Sequence, residues 1–126
     1  MRHNWLVPAV LSVLLLSACG ASSPAATYEQ AISAVDGVES VTVQWERAGA
    51  GDLTFVDVST ATNDPTELHR ILDGSMRAFI GSADPHEETT LSYLVYSQDR
   101  STYLTPSDLG PVMRSLSDIR EHYGID

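Results

Sequence analysis

The stretch that decides the fold is VTVQWE, residues 41–46, in which apolar and polar residues alternate. A period of two places successive side chains on opposite faces of an extended chain, so this stretch predicts a strand with one buried face. Trp45 is expected in the core. The glycine-rich segment 48–52 predicts a turn, and the β-favouring residues 53–60 predict a second strand. Both faces of that second strand carry apolar residues, so its orientation stays open.

Two helices are predicted on either side of this hairpin. Thr27, with Gln30 three residues later, resembles a capping box and opens a helix that ends at the DG pair, residues 36–37. Asp64, followed by a proline and an acid in the first turn, opens a second helix that ends near Gly81.

The last third of the chain predicts two further strands and a helix. Residues 91–96 form a strand, residues 98–100 a turn, and residues 101–105 a short fourth strand. Asp108 caps a final helix that closes at Gly124. The predicted order is α-β-β-α-β-β-α. Since hairpins make adjacent strands antiparallel and amphipathic helices need a sheet face to cover, we predict a two-layer α+β domain with an antiparallel four-stranded sheet and its helices on one face.

One short segment has a counterpart in a known family. VESVTV, residues 38–43, follows a helix that ends in glycine and resembles the same element in ferredoxin-like domains of the heavy-metal-associated kind. The resemblance spans about ten residues and implies a helix-covered sheet. The cysteine pair that binds metal in that family is absent here, so the resemblance does not extend to metal transport.

The N-terminal segment has the composition of a secretion signal. Arg2 and His3 form a short positively charged region, and residues 5–16 are apolar except for a proline and a serine. A membrane-spanning helix needs about 20 apolar residues, which is more than this run provides. We therefore predict a signal peptide over residues 1–18.

Residues 16–19 (LSAC) resemble a bacterial lipobox. The resemblance implies that Cys19, the only cysteine, receives a diacylglycerol and that the chain is cut just before it. Two acyl chains anchor a protein stably, so the resemblance implies a lipoprotein on the extracytoplasmic side of the cell membrane. Residues 19–26 would then be the lipidated cysteine and a flexible tether, and residues 27–126 a single globular domain. A secretory signal cleaved after residue 18, without lipidation, is the alternative.

Charge and cysteine content restrict the classes of partner. The chain has 17 acidic and 7 basic residues, a net charge of −10, and removal of residues 1–18 leaves 6 basic residues and a net charge of −11. Nucleic acid is therefore not expected as a partner, because binding to phosphates depends on clustered Lys and Arg. A single cysteine allows no intramolecular disulfide and no thiolate zinc site, so an apolar core must hold the domain.

The sequence contains none of the common enzyme signatures, such as a glycine-rich phosphate loop, Gly-x-Ser-x-Gly or His-Glu-x-x-His. We predict no catalytic residue and no cofactor. The best cluster of chemical groups is the DPHEE loop, with Asp84, His86, Glu87 and Glu88. Carboxylates and an imidazole are ligands for calcium, zinc or nickel. The spacing fits no metal loop, so a solvated acidic loop is favoured and no metal is predicted.

Three tyrosines, Tyr93, Tyr96 and Tyr103, cluster on the second predicted hairpin. Tyrosine is favoured at binding surfaces because its ring is rigid and amphipathic. It is also a good strand residue, so cross-strand packing is the favoured explanation of the cluster and a ligand-facing patch is the alternative. We predict a non-enzymatic binding or interaction module of the cell envelope, with an envelope protein or a ligand as partner. The alternative is a small metal-dependent or ligand-processing module centred on residues 84–88.

Overall fold

The computed structural model describes residues 24–49 and 51–125, so the predicted signal peptide, Cys19 and most of the predicted tether lie outside the described residues. The α+β class and the predicted order of elements are confirmed. The elements are α1 (Ala25–Ser33), β1 (Val38–Ala48), β2 (Gly51–Thr60), α2 (Pro65–Ser82), β3 (Thr90–Tyr96), β4 (Tyr103–Leu104), a 3₁₀ helix (Pro106–Leu109) and α3 (Leu116–Tyr123).

The four strands form one sheet in the order β1-β2-β3-β4. Strands β1 and β2 pair antiparallel, with Val43 opposite Val56, and β3 and β4 also pair antiparallel. Strands β2 and β3 run parallel, with Phe55 opposite Ser92. The predicted wholly antiparallel sheet is therefore wrong. The reason is that helix α2 connects β2 to β3 as a crossover, which returns the chain to start β3 in the same direction as β2.

One face of the sheet is packed against the helices. Strand β2 turns Thr54, Val56, Val58 and Thr60 to that face, which settles the orientation that the sequence left open. Helix α2 covers the face with its apolar stripe, as its spacing predicts. The buried apolar residues of the core are Tyr28, Ile32, Val43, Val56, Val58, Leu68, Ile71, Leu72, Met76, Phe79, Ile80, Tyr93, Val95, Leu104, Met113, Leu116 and Ile119.

Trp45, predicted in the core, is only partly buried. It lies near the end of β1, where the guanidinium of Arg47 is 5.6 Å from the centre of its ring. The indole Nε1 is shielded from solvent and finds no hydrogen-bond acceptor within residues 24–49 and 51–125.

The helix cap predicted at Asp64 is confirmed, and the one predicted at Thr27 is not. The Asp64 side chain accepts from the Glu67 N–H at 3.0 Å, as predicted for an N-cap. The capping box predicted at Thr27 is wrong, because the N-cap is Pro24, three residues earlier, and the Tyr28 N–H already donates to the Pro24 carbonyl at 3.1 Å.

The single C-terminal helix predicted from Asp108 is divided in two. Asp108 accepts from the Thr105 N–H at 2.8 Å and closes a capping box on the 3₁₀ helix. Gly110, with a φ of 124°, ends that helix. Helix α3 starts only at the Ser115 cap and ends, as predicted, at Gly124, whose φ is 69°. Within the described part of the chain, no helix is both long and apolar enough to cross a membrane.

Candidate functional site

The predicted site residues lie in three separate places. Residues 84–88 form a loop between α2 and β3, Tyr93 is buried in the core, and Tyr96 and Tyr103 lie on the sheet face that the helices leave uncovered. We call this uncovered surface the open face. Its residues are Thr42, Gln44, Glu46, Leu53, Phe55, Asp57, Ser59, Ser92, Leu94, Tyr96 and Tyr103. The predicted lipidation site, Cys19, lies outside the described residues.

The acidic loop is fastened to helix α3. The Arg120 guanidinium donates to the backbone carbonyls of Asp84 at 2.9 Å and Glu87 at 2.8 Å. The Asp84 carboxylate accepts from the His86 N–H at 2.8 Å, which is the local turn that an Asx residue favours. These contacts explain the conformation of the loop without any ligand.

Glu88 has a structural partner that the sequence did not reveal. Its carboxylate accepts from the Ser117 N–H at 3.1 Å and from the Ser117 hydroxyl, and it also accepts from the Thr89 N–H at 3.2 Å. Ser117 lies in the first turn of α3, where unpaired N–H groups and the helix dipole favour a negative charge. Glu88 therefore stabilises the start of α3.

An open depression of about 480 Å³ lies beside this loop, lined by Asp52, Asp84, His86, Glu87 and Glu88. Among residues 24–49 and 51–125, no group of three or more His, Cys, Asp or Glu side chains is arranged to hold a metal ion. The depression concentrates negative charge at one end of the domain, which disfavours anionic ligands there.

Tyr93 is a core residue, so its predicted place on a binding surface is wrong. Its side chain is 2% exposed and its hydroxyl donates to Ser75 Oγ at 2.9 Å. The ring packs edge-on against Phe79, with 5.6 Å between ring centres. Burial raises the pKa of the Tyr93 phenol above its ordinary range. The physical reason is the strand period, which turns Tyr93 and Tyr96 to opposite faces.

Tyr96 and Tyr103 are neighbours across the β3–β4 pair, with 5.7 Å between their ring centres. The Arg100 guanidinium lies 3.9 Å from the centre of the Tyr96 ring, which is cation–π contact, and it donates to Ser59 Oγ at 2.9 Å. Tyr103 is 56% exposed. The structure therefore brings two of the predicted tyrosines together and adds an arginine.

Arg100 has an uncommon backbone conformation for a residue with a side chain. Its φ is 61°, in the left-handed region that glycine and asparagine favour. The surrounding turn holds it there, because the Asp99 carboxylate accepts from both the Ser101 N–H and the Ser101 hydroxyl. The hydrogen bonds of Ser101 and Ser97 hold the pKa of Asp99 below its usual range. This turn fixes the backbone from which Arg100 reaches the open face.

Phe55 is a residue of the open face that is not among the site residues predicted from the sequence. It is 37% exposed and lies opposite Ser92 in the parallel pair. The alternation of residues 53–60 indicates that Phe55 lies on the face opposite Val56 and Val58. The sequence did not show which of those two apolar faces is buried.

Another cluster joins α3 to α2 behind the sheet. The Tyr123 hydroxyl donates to Asp73 Oδ1 at 2.6 Å, Arg77 donates to Asp73 Oδ2 at 2.9 Å, and the Arg77 guanidinium is 4.5 Å from the Tyr123 ring centre. Burial and the Asp73 carboxylate raise the pKa of Tyr123. Partial burial opposes ionisation of Asp73, but the bonds from Tyr123 and Arg77 outweigh it and lower the pKa of Asp73. All three groups are mutually paired, which is the arrangement of a structural cluster.

Comparison with known protein families, with curated proteins and with solved structures finds no match for this chain.

Proposed function

We propose that this chain is a lipid-anchored extracytoplasmic binding module that docks a protein of the cell envelope through its open face and performs no catalysis. The observation that carries the proposal is the aromatic surface of the open face. Phe55, Tyr96 and Tyr103 lie there with Arg100, on a sheet whose other face is fully used by the core.

The residue types of the open face are those that dominate protein interfaces. Aromatic residues and arginine are enriched at the centres of interfaces, and truncation of a few such residues removes most of the binding energy. Arg100 is already held by Tyr96 and Ser59, so little side-chain entropy remains to be lost when a partner binds. Glu46 and Asp57 supply the polar surroundings that a reversible interface requires.

The lipid anchor is supported by the LSAC sequence at residues 16–19 and by the single cysteine. Cys19→Ser removes the only thiol, and we expect this variant to leave the membrane fraction while the parent stays in it. Ser22→Ala, on the predicted tether, is the matched control and should fractionate like the parent. Retention of Cys19→Ser in the membranes would contradict anchoring through a lipid.

The docking role is tested by cross-linking and affinity purification of the full chain from its own membranes, with the recovered proteins identified by mass. The Phe55→Ser and Tyr103→Ser double variant alters only exposed side chains of the open face. We expect at least one protein to be recovered at least fivefold less with the double variant than with the parent. Thr66→Ala, an exposed change on α2, is the control and should recover it fully. If every protein is recovered equally with both, the open face is not the docking surface.

A further inference from the structure

The chain after β4 leaves the edge of β3 and returns to it later than a continuous strand would. Leu104 lies opposite Val95, and that register, if continued, would place Leu109 opposite Thr90. Instead Ser115 forms the antiparallel bridge to Thr90, six residues further along the chain. The extra residues form the 3₁₀ helix and the loop that follows it, so residues 105–114 do not pair with the middle of β3.

This excursion leaves a groove of about 440 Å³ along the outer side of β3, which we call the edge groove. Its lining residues are Leu91, Ser92, Tyr93, Leu94, Thr105, Pro106, Ser107, Val112, Met113 and Arg114. On this side of β3, Val95 and Tyr96 pair with β4, and Thr90 pairs with Ser115. Within the described part of the chain, residues 92–94 between them have no strand partner on this side.

Backbone groups of β3 face the edge groove. The Leu91 N–H donates outward to the Arg114 carbonyl at 2.8 Å, and the Ser97 N–H donates outward to the Thr102 carbonyl at 2.9 Å. Because N–H groups alternate in direction along a strand, the N–H and carbonyl of Tyr93 point to the same side of β3 as the N–H groups of Leu91 and Ser97. Tyr93 therefore presents one donor and one acceptor to whatever enters, although its side chain lies in the core.

The charge of the edge groove is opposite to that of the acidic depression. Among the described residues that line it, Arg114 is the one with a charge and none carries a carboxylate. Arg114 is exposed and takes part in none of the three ion pairs found within residues 24–49 and 51–125. The chain has 17 acidic residues, so a groove with an arginine outside those ion pairs and no carboxylate in its described lining is a favourable place for an anionic group of a ligand.

The length of the edge groove restricts its occupant to a short piece of chain. Strand β4 closes one end at Val95, and the Ser115 bridge closes the other end at Thr90. Since an extended chain advances about 3.3 Å per residue, only about three residues fit between these closures. A partner strand that runs past both ends of the groove would collide with these closures, whereas a partner chain that ends inside the groove would not.

We propose that the edge groove binds the C-terminal two or three residues of a partner protein in extended form. The terminal carboxylate pairs with Arg114, a peptide amide pairs with the backbone of Tyr93, and an apolar last side chain packs among Leu94, Val112 and Met113. Capture of a terminal carboxylate together with strand-like pairing is an established mode of peptide recognition. The edge groove shares Ser92 and Leu94 with the border of the open face, but it uses none of the aromatic side chains of the docking surface proposed above and does not depend on that proposal.

The test is a titration of the isotope-labelled full chain in detergent micelles, followed by the amide resonances in NMR spectra. The ligand is a pool of N-acetylated pentapeptides with an apolar last residue and a free C-terminal carboxylate, and the same pool with an amidated C-terminus is the comparison. We expect the free-acid pool to shift the resonances of Tyr93 and Arg114 and the amidated pool to bind at least tenfold more weakly.

Two variants locate the interaction. Arg114→Gln should weaken binding of the free-acid pool at least tenfold, whereas Arg47→Gln, the same charge change on an exposed residue outside the groove lining, should leave it unchanged. The Phe55→Ser variant should also bind normally, so failure of the open-face proposal does not affect this result. The inference is overturned if millimolar free-acid peptide shifts no groove resonance, or if both pools bind equally.

Discussion

Tyr93 and Tyr96 lie three residues apart on the same strand, yet they belong to different parts of the molecule. Tyr93 is 2% exposed, its hydroxyl bonds to Ser75, and its ring packs against Phe79. Tyr96 lies on the open face between Arg100 and Tyr103. Residue type alone therefore does not mark a binding tyrosine. The face of the strand decides whether the ring contributes to stability or is available to a partner.

The largest expected difference between the two faces is in the free energy of unfolding. Tyr93→Ala should destabilise the protein by about 3 to 5 kcal/mol, the effect typical of removing a large buried aromatic ring. Tyr103→Ala should change stability by less than about 0.5 kcal/mol, because the ring is exposed. Equilibrium urea unfolding followed by circular dichroism measures both. Equal effects would mean that the two faces are not divided as described.

The close approach of helix α2 to the turn before β1 gives the next largest effect. Gly37 has a φ of 92°, and a Cβ there would lie 2.6 Å from Ile71 Cδ1. Gly37→Ala should destabilise by at least about 1 to 2 kcal/mol, because an L residue is strained in that conformation and Ile71 must move.

Gly81→Ala is the matched control for this substitution. Gly81 lies near the end of α2, does not have a positive φ, and a Cβ at this position would meet no other atom within 4 Å. Because alanine is the better helix former by up to about 1 kcal/mol, Gly81→Ala should be neutral or stabilising. Thermal unfolding of both variants under one buffer condition decides the point, and a destabilised Gly81→Ala would refute the helical assignment there.

A smaller effect is expected from the Tyr93 hydroxyl alone. Tyr93→Phe keeps the ring but removes the bond to Ser75 Oγ, so we expect a loss of about 1 kcal/mol. Tyr103→Phe removes a hydroxyl from an exposed ring and should leave the unfolding midpoint unchanged. If the two variants behave alike in urea unfolding, the Tyr93–Ser75 bond does not contribute to stability.

The smallest effect at neutral pH is expected at Tyr28, the other buried tyrosine of the core. Its hydroxyl is shielded from solvent and has no hydrogen-bond partner in the part of the chain that the structure describes, so Tyr28→Phe should be neutral or slightly stabilising. Burial, reinforced by the nearby Glu87, raises the pKa of Tyr28 from 10.0 to about 12. Between these values the unfolded chain releases the proton first, so stability is lost as the pH rises.

Tyr28→Phe should therefore weaken this alkaline dependence. The measurement is the free energy of unfolding of parent and variant as the pH is raised from about 9 through the range in which Tyr28 titrates. The parent should lose stability more steeply than Tyr28→Phe. Parallel curves would show that the pKa of the Tyr28 phenol is not raised in the folded protein.

Much of the fold was predictable because the signals are local. The Asp64 cap, the alternation in β1 and the Gly124 terminus each depend on residues close in sequence. The parallel pairing of β2 and β3 was not predictable in this way, because it depends on where the α2 crossover returns the chain. The division of the last helix was missed because Asp108 looks like an N-cap, whereas it is the third residue inside a 3₁₀ helix.

The candidate site was predictable only in part, for a related reason. The cluster of Tyr96 and Tyr103 follows from a predicted hairpin, but the exposure of Phe55 depends on which face of β2 the helices cover. The role of Glu88 depends on Ser117, which lies 29 residues away in sequence. Contacts of that range leave no local pattern in a single sequence.

The most direct test of the two-faced sheet is site-specific photo-cross-linking of the full chain in its own membranes. A photoreactive phenylalanine analogue replaces Tyr103 or Phe55 on the open face, and Thr66 or Glu121 on the helical side, all of which are exposed. We expect the same discrete cross-linked product from positions 103 and 55 and no such product from positions 66 and 121. A product formed equally from all four positions, or only from the helical side, would contradict the open face as the docking surface.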